Sequence, residues 1–451
     1  MSNGSQAQPE AQSLGAETGR RRFGAEAIAA VVVFVATIAQ APAVPVYDAA
    51  TYWAGSVGLV HGRDVYIDGL MSLRGVLTSV LYVPAALATR VLGEANGGMA
   101  VLVENGLLIA LVGAVLLPRM LREWGPVTPW MVSLSAGLTW LLVARLAPYP
   151  LTDLWGAVLI VAAIVFLQRR TAVGLASAGL VAGIALNIRP AYLAAVLLAL
   201  VIILLRERLA GLWFVAGAAF ALLPQSIVNL AHGAGWKPWP PGTATLLQLQ
   251  SASASYIVRY DTAAYGLPRD PQQSFCSATM AQIVGDHPPT STGELAGTFL
   301  HHLPQSLIFV AEKVAAALHW PISAPYYAPS GVGDQLFAFE VTAVTVLGTA
   351  SLLYMLFKHG LRSATLAGSV APVVWLGALA TIVTASPETR FALPLVLFGI
   401  AGCAASLRSR PRARWVAAAV IAVLVVFAIG VKGLAHEAAP GGVSPSICAA
   451  S

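Results

Sequence analysis

Carboxylates and aromatic rings are interleaved in Tyr47-Asp48-Ala49-Ala50-Thr51-Tyr52-Trp53 and again in Gly62-Arg63-Asp64-Val65-Tyr66-Ile67-Asp68. Aromatic faces stack on pyranose rings, and carboxylates accept hydrogen bonds from hydroxyls, so the pattern suits a sugar. One carboxylate in such a site must also take the proton of an attacking hydroxyl. Asp48 is the candidate base, with Tyr47, Tyr52, Trp53 and Asp64 as substrate contacts. A plainer reading stands beside each. Asp48 can be the N-cap of a helix opening at Ala49, because aspartate is a favoured cap. Asp64 and Asp68 fit a solvated loop.

A further acid, Asp153, follows the turn Ala147-Pro148-Tyr149-Pro150-Leu151-Thr152, where capping is again the simpler alternative. Arginines stand at two other helix ends. Arg189 lies in Leu186-Asn187-Ile188-Arg189-Pro190, and Arg390 in Ser386-Pro387-Glu388-Thr389-Arg390-Phe391. A guanidinium can clamp two phosphate oxygens, so both are candidate phosphate ligands, with Glu388 a candidate substrate contact. Otherwise Arg390 pairs with Glu388 and Arg189 snorkels to the interface. No zinc spacing, nucleophile elbow or phosphate-binding glycine loop is present, and no metal or cofactor is expected. Most ionisable residues of the stretch 230–302, such as Lys237, Arg259, Asp261, Arg269 and His301, read as solvated.

The elements that must carry these residues are set by composition. Only 10% of the 451 residues are charged and 57% are hydrophobic, with mean hydropathy +0.75. A soluble domain has about 25% charged residues. The apolar runs are continuous and do not alternate, so the expected fold is an all-α polytopic transmembrane bundle, not a barrel. The net charge of +6 is no sign of nucleic-acid binding, because the basic residues cluster between apolar runs, where they act as topology signals. By that rule Arg119, Arg122, Arg169, Arg170 and Arg408 are cytoplasmic, and the candidate site residues are extracytoplasmic.

Spans of about 20 residues thread near 25–46, 98–118, 127–147, 151–168, 172–187, 190–206, 210–229, 336–357, 363–385, 391–407 and 414–434, which gives about 11–13 in all once the ambiguous segments are counted. Pro190 breaks the run 172–206. The expected organisation is a polar, disordered cytoplasmic segment 1–24, a transmembrane module 25–229 with a first outer loop 47–74, a long outer loop 230–335, transmembrane helices 336–434 and an outer tail 435–451. Two apolar segments, Gly75 to Leu92 and Leu303 to Trp320, read as interfacial or re-entrant. The second carries Glu312 and Lys313, as an amphipathic surface helix would. Cys276 and Cys448 both fall outside, where a disulfide between them is one open possibility, and Cys403 in an apolar run reads as inert.

Asp48, Tyr52, Trp53, Gly62 and Tyr66 form a pattern close to Asp-x-x-x-Tyr-Trp with a later Gly-x-x-x-Tyr. It resembles the first outer loop of the GT-C superfamily of multi-span glycosyltransferases that use polyprenyl-phosphate sugars. Ser386 to Pro394 is similar to the Glu-x-Arg-Tyr-x-x-Pro stretch that many members carry before a late span. The chain departs from the pattern at Ala49, where many members have a second acid, and at Phe391, where Tyr is usual. The resemblance implies a membrane enzyme that moves a hexose or pentose, such as mannose or arabinose, to a cell-envelope lipid or glycan acceptor. Inversion at the anomeric carbon would be driven by Asp48 as base, with Arg189 and Arg390 on the donor phosphate. The rival readings are a transporter or lipid flippase, a glycan ligase and a non-catalytic assembly partner.

Overall fold

The computed structural model describes residues 24–64, 73–262, 272–322, 325–326, 331–359, 365–408, 413–437 and 444–450. Asp68, Arg269 and most of the N-terminal segment lie outside them. The chain is an all-helical bundle, apart from one hairpin. Among the described residues, six helices are long and apolar enough to cross a membrane: Glu94–Trp124, Pro129–Leu146, Val332–Lys358, Leu366–Thr384, Thr389–Ser406 and Ala413–Gly433. Apolar helices Gly24–Ile38, Val83–Leu92, Thr152–Leu167 and Ala172–Ile188 are shorter. Their exposed stripes are apolar, as on Ile28, Val31 and Val32 and on Ile421, Leu424 and Val425. A protein with such flanks is embedded in a membrane, where lipid covers them.

Local chemistry explains most of the boundaries. The first helix stops at Ile38, short of Val46, and Pro42 and Pro45 keep 41–46 out of helix. Pro190 ends the helix Ala172–Ile188 and opens a single tight turn before Leu193–Glu207. Helices Ala172–Ile188 and Leu212–Ala231 pack through small residues. A Cβ on Gly179 would lie 1.9 Å from the Phe214 carbonyl oxygen, and one on Gly217 would lie 2.0 Å from that of Ala176. Backbones this close need glycine on both sides.

Charge separates the two ends of the bundle. At one end Glu26 pairs with Arg119 at 3.0 Å and Arg122 at 3.5 Å, Gln168 donates to the Arg119 carbonyl at 2.8 Å, and Arg408 donates to that of Pro126. The opposite end carries the described residues of the stretch 232–331 and every candidate site residue.

Among its described residues that stretch holds the short helices Thr243–Ala254, Ala278–Val284 and Thr292–His301, as its turn-rich sequence predicts, and a hairpin that it does not. Strands Ile257–Thr262 and Gln272–Cys276 form an antiparallel hairpin, with Tyr260 opposite Ser274. Cys276 is disulfide-bonded to Cys448, at a Cα separation of 5.6 Å, and its amide also donates to the His436 carbonyl. Helix Leu303–Leu318 corrects the amphipathic reading. Its exposed face carries Leu303, Leu307 and Ile308, whereas Lys313 is fully buried. The ammonium donates to the carbonyls of Ala254, Val383 and Ala385 at 2.9, 3.1 and 2.7 Å, so all three of its protons are used. Arg259 and Asp261 are likewise not solvated. They form a buried ion pair, and Arg259 also donates to the carbonyls of Ala316 and His319. The apolar run Gly75 to Leu92 divides into short helices Thr78–Leu81 and Val83–Leu92.

The disulfide closes a separation of 172 residues. Replacing both cysteines by serine is expected to cost about 2–5 kcal/mol. Thermal unfolding should show that loss, and reductant should reproduce it in the wild type while leaving the variant unchanged.

Candidate active site

Helix Tyr47–Val60 begins after the extended N-cap residue Val46, and Asp48 lies in its first turn without making a capping bond. The capping is done by Tyr326, whose hydroxyl accepts from the Ala49 amide at 3.2 Å and donates to the Val46 carbonyl at 2.9 Å. The Tyr326 ring packs between Tyr149, 4.9 Å away, and Tyr47, 5.8 Å away. Tyr47 itself adopts φ +48, a conformation that a bulky residue holds only under tertiary constraint. Asp48 is thereby released from capping and presented to the site.

Asp153 also makes no capping bond, although among the described residues no tyrosine takes the first-turn amides of its helix. It lies in the first turn of Thr152–Leu167, whose N-cap makes no side-chain bond. The loop before it is held from below. Asn105 donates to the carbonyls of Ala147 and Tyr149, both at 2.9 Å, and the Tyr82 hydroxyl donates to that of Leu151 at 2.9 Å. Both acids also sit where a helix N-terminus favours negative charge.

Arg390 gathers the carboxylates. Its Nη2 is 2.8 Å from Asp48 Oδ2 and 3.1 Å from Glu388 Oε1, and its Nε is 2.5 Å from Glu388 Oε2 and 3.8 Å from Asp153 Oδ2. Arg189 pairs with Asp153 on the other side, with its guanidinium 4.3 Å over the Phe391 ring. It is buried and does not snorkel. The Tyr260 phenol hydrogen-bonds Glu388, and the Tyr260 amide donates to the Pro387 carbonyl at 3.1 Å. Burial pushes the Glu388 carboxyl above its ordinary range, against the pull of Arg390.

Exposure separates the three acids. The Asp153 and Glu388 side chains are each 3% exposed, whereas that of Asp48 is 27% exposed. Among the described residues, nothing donates to Asp48 Oδ1 and nothing accepts from Arg390 Nη1.

One further cation belongs here. Arg74 Nε donates to the Tyr52 hydroxyl at 3.1 Å, and its terminal nitrogens have no acceptor among the described residues. Tyr52, against the cost of burial, and then Asp48 and Asp153 raise this guanidinium above its ordinary value. In the sequence Arg74 looks like any loop arginine. Its one signal is the neighbouring Gly75.

The cluster therefore holds Asp48, Asp153 and Glu388 with Arg74, Arg189 and Arg390, three charges of each sign. Tyr47 and Tyr52 flank it. Trp53 packs inward with Leu81, Tyr82 and Val101. Asp64 stands apart, 3.3 Å from His232 and half exposed. No group of metal-ligating side chains occurs among the described residues. No family model, curated protein or solved structure matches the chain.

Removing one partner of a buried ion pair strands the other charge. Asp153→Ala is expected to destabilise the protein by about 3–5 kcal/mol, read as a lowered unfolding temperature. Asp153→Leu combined with Arg189→Met should recover most of that loss.

Proposed function

We propose that the chain is a membrane glycosyltransferase that moves a monosaccharide from a polyprenyl-phosphate donor to a lipid or glycan acceptor, on the extracytoplasmic face of the cell membrane. The observation that carries this reading is the state of Asp48. It is the one acid of the cluster with an open edge, it is oriented by Arg390, and it keeps an unbonded carboxylate oxygen. A general base needs that combination of fixed position and free lone pair.

In the proposed reaction the acceptor hydroxyl donates to Asp48 Oδ1 and loses its proton there. Its oxygen attacks the anomeric carbon as the bond from that carbon to the phosphate oxygen breaks, inverting the configuration. The electron pair leaves with the polyprenyl phosphate. Arg390 Nη1, which is buried without an acceptor, and the terminal nitrogens of Arg74 are the unpaired donors of the cluster among the described residues, and they would meet the charge that grows on the phosphate, as preorganised donors do in other sites. Arg189, paired to Asp153, adds positive charge from behind. A phosphate is a good leaving group, so no general acid is required. Tyr47, 39% exposed, offers ring surface to the sugar, whereas Tyr52 is not the substrate contact that its sequence suggested: its ring is buried and its hydroxyl holds Arg74. Glu388 and Asp153 hold Arg390 charged and in place.

Purified protein in nanodiscs, given radiolabelled polyprenyl-phosphate sugars and envelope lipid, is expected to transfer label. Asp48→Asn should reduce transfer about 10²–10⁴-fold without altering the unfolding temperature by more than a few degrees. Undiminished transfer in the variant would remove Asp48 as the base. No transfer with any donor, from folded wild type, would overturn the class and favour a transporter.

A further inference from the structure

Arg74 has no secondary structure of its own to hold it, yet the three amides that follow it are all bonded to one buried system. Gly75 donates to the Asn187 carbonyl at 3.0 Å, Val76 to Gln225 Oε1 at 2.8 Å, and Leu77 to Asn187 Oδ1 at 3.0 Å. The contact is so close that a Cβ on Gly75 would lie 2.1 Å from the Asn187 oxygens. Only glycine fits there.

The acceptors form a ladder. Asn187 Nδ2 donates to Gln225 Oε1 at 3.3 Å, and Gln225 Nε2 donates to Asn229 Oδ1 at 2.9 Å. Asn229 Nδ2 then donates to the carbonyls of Lys237 and Trp239 at 2.7 and 2.8 Å. All three side chains are buried. Every amide accepts on one side and donates on the other, so the chain of bonds has a single direction and no slack. Its far end is the turn bearing Trp236 and Trp239, both more than half exposed, as tryptophans at a membrane interface are. Three buried amides inside apolar helices are costly unless satisfied. Apolar residues of similar size would close the same helix packing, so packing alone gives no reason for them.

We propose that Asn187, Gln225 and Asn229 are positioning residues that set Arg74 against the donor phosphate, with the Trp236–Trp239 turn as the outer anchor. This inference rests on the donor reading given above. The ladder acts through backbone amides, so it fixes where the Arg74 Cα stands. The bond from Arg74 Nε to Tyr52 then leaves the terminal nitrogens as the free edge.

The test is calorimetric binding of farnesyl phosphate, with farnesol as the control, to full-length protein in nanodiscs. Wild type is expected to prefer the phosphate. Gln225→Met should weaken phosphate binding roughly tenfold, about the worth of one charge-assisted hydrogen bond, and leave farnesol binding unchanged. Arg74→Ala with Gln225→Met should bind no more weakly than Arg74→Ala alone, because both changes remove one interaction. Asn229→Ala keeps the bond from Val76 to Gln225 and should give a smaller loss, and it serves as the readout if Gln225→Met does not fold. Wild-type phosphate affinity in Gln225→Met, or losses that add in the double variant, would overturn the positioning role. A wild type that binds farnesol as well as farnesyl phosphate would overturn the donor reading itself.

Discussion

Burying carboxylates at the end of a membrane bundle is tolerable only when each one has a cation, and this requirement shapes the whole end of the molecule. Arg390 answers it for three acids at once, reaching Asp48, Glu388 and Asp153. A single guanidinium with three claimants has little freedom to choose. It must sit where the helices opening at Tyr47, Thr152 and Leu393 converge, so those three helix ends are fixed relative to one another. An isolated charge there would cost several kcal/mol. A network of three acids and three bases meets that debt by ion pairing, and among the described residues Asp48 Oδ1, Arg390 Nη1 and the terminal nitrogens of Arg74 stay without a partner.

Tyrosine does the work that permits this. Aspartate at a helix start ordinarily caps its own helix and is then lost to chemistry. Here the hydroxyl of Tyr326 serves the first turn of the Asp48 helix, and that of Tyr82 serves the carbonyl before Asp153. Separating the structural duty from the acid lets the acid face its partners. The left-handed backbone at Tyr47 belongs to the same arrangement, since the ring that packs on Tyr326 comes from the residue directly before Asp48.

Much of this was readable in the sequence. Apolar continuity gave the helical membrane class, Pro190 gave a true break, and the acids and arginines at helix ends marked residues that do converge. Asp48, Asp153, Arg189, Glu388 and Arg390 meet although they are spread across most of the chain. What escaped were partners whose role depends on distance in sequence. Tyr326 lies 280 residues from Val46, and no local pattern announces that it will cap that helix. Arg74 is a single arginine at the end of the first outer loop, with no pattern around it that marks a site. Lys313 was misread because a charge on an apolar helix is normally solvated, and only the fold shows three carbonyls converging on it. The hairpin was missed although Ile257, Val258, Tyr260 and Thr262 favour a strand, because its partner Gln272–Cys276 follows Pro271 and carries no β-branched residue. Asp64 was a fair candidate by composition, but the chain carries it away from the cluster.

Lys313 also bears on how the molecule can be divided. By sequence the stretch from 230 to 335 reads as a long outer loop between two sets of helices. Its lysine, however, ties the ends of helices Thr243–Ala254 and Leu366–Thr384 to helix Leu303–Leu318, and the segment after Leu366–Thr384 leads directly to Glu388 and Arg390. The stretch is therefore a keystone rather than an attachment. A chimera that exchanged it as a block would leave the carbonyls of Val383 and Ala385 bare unless the new block brought its own buried ammonium, so the unit cannot be transplanted independently of the helices around it.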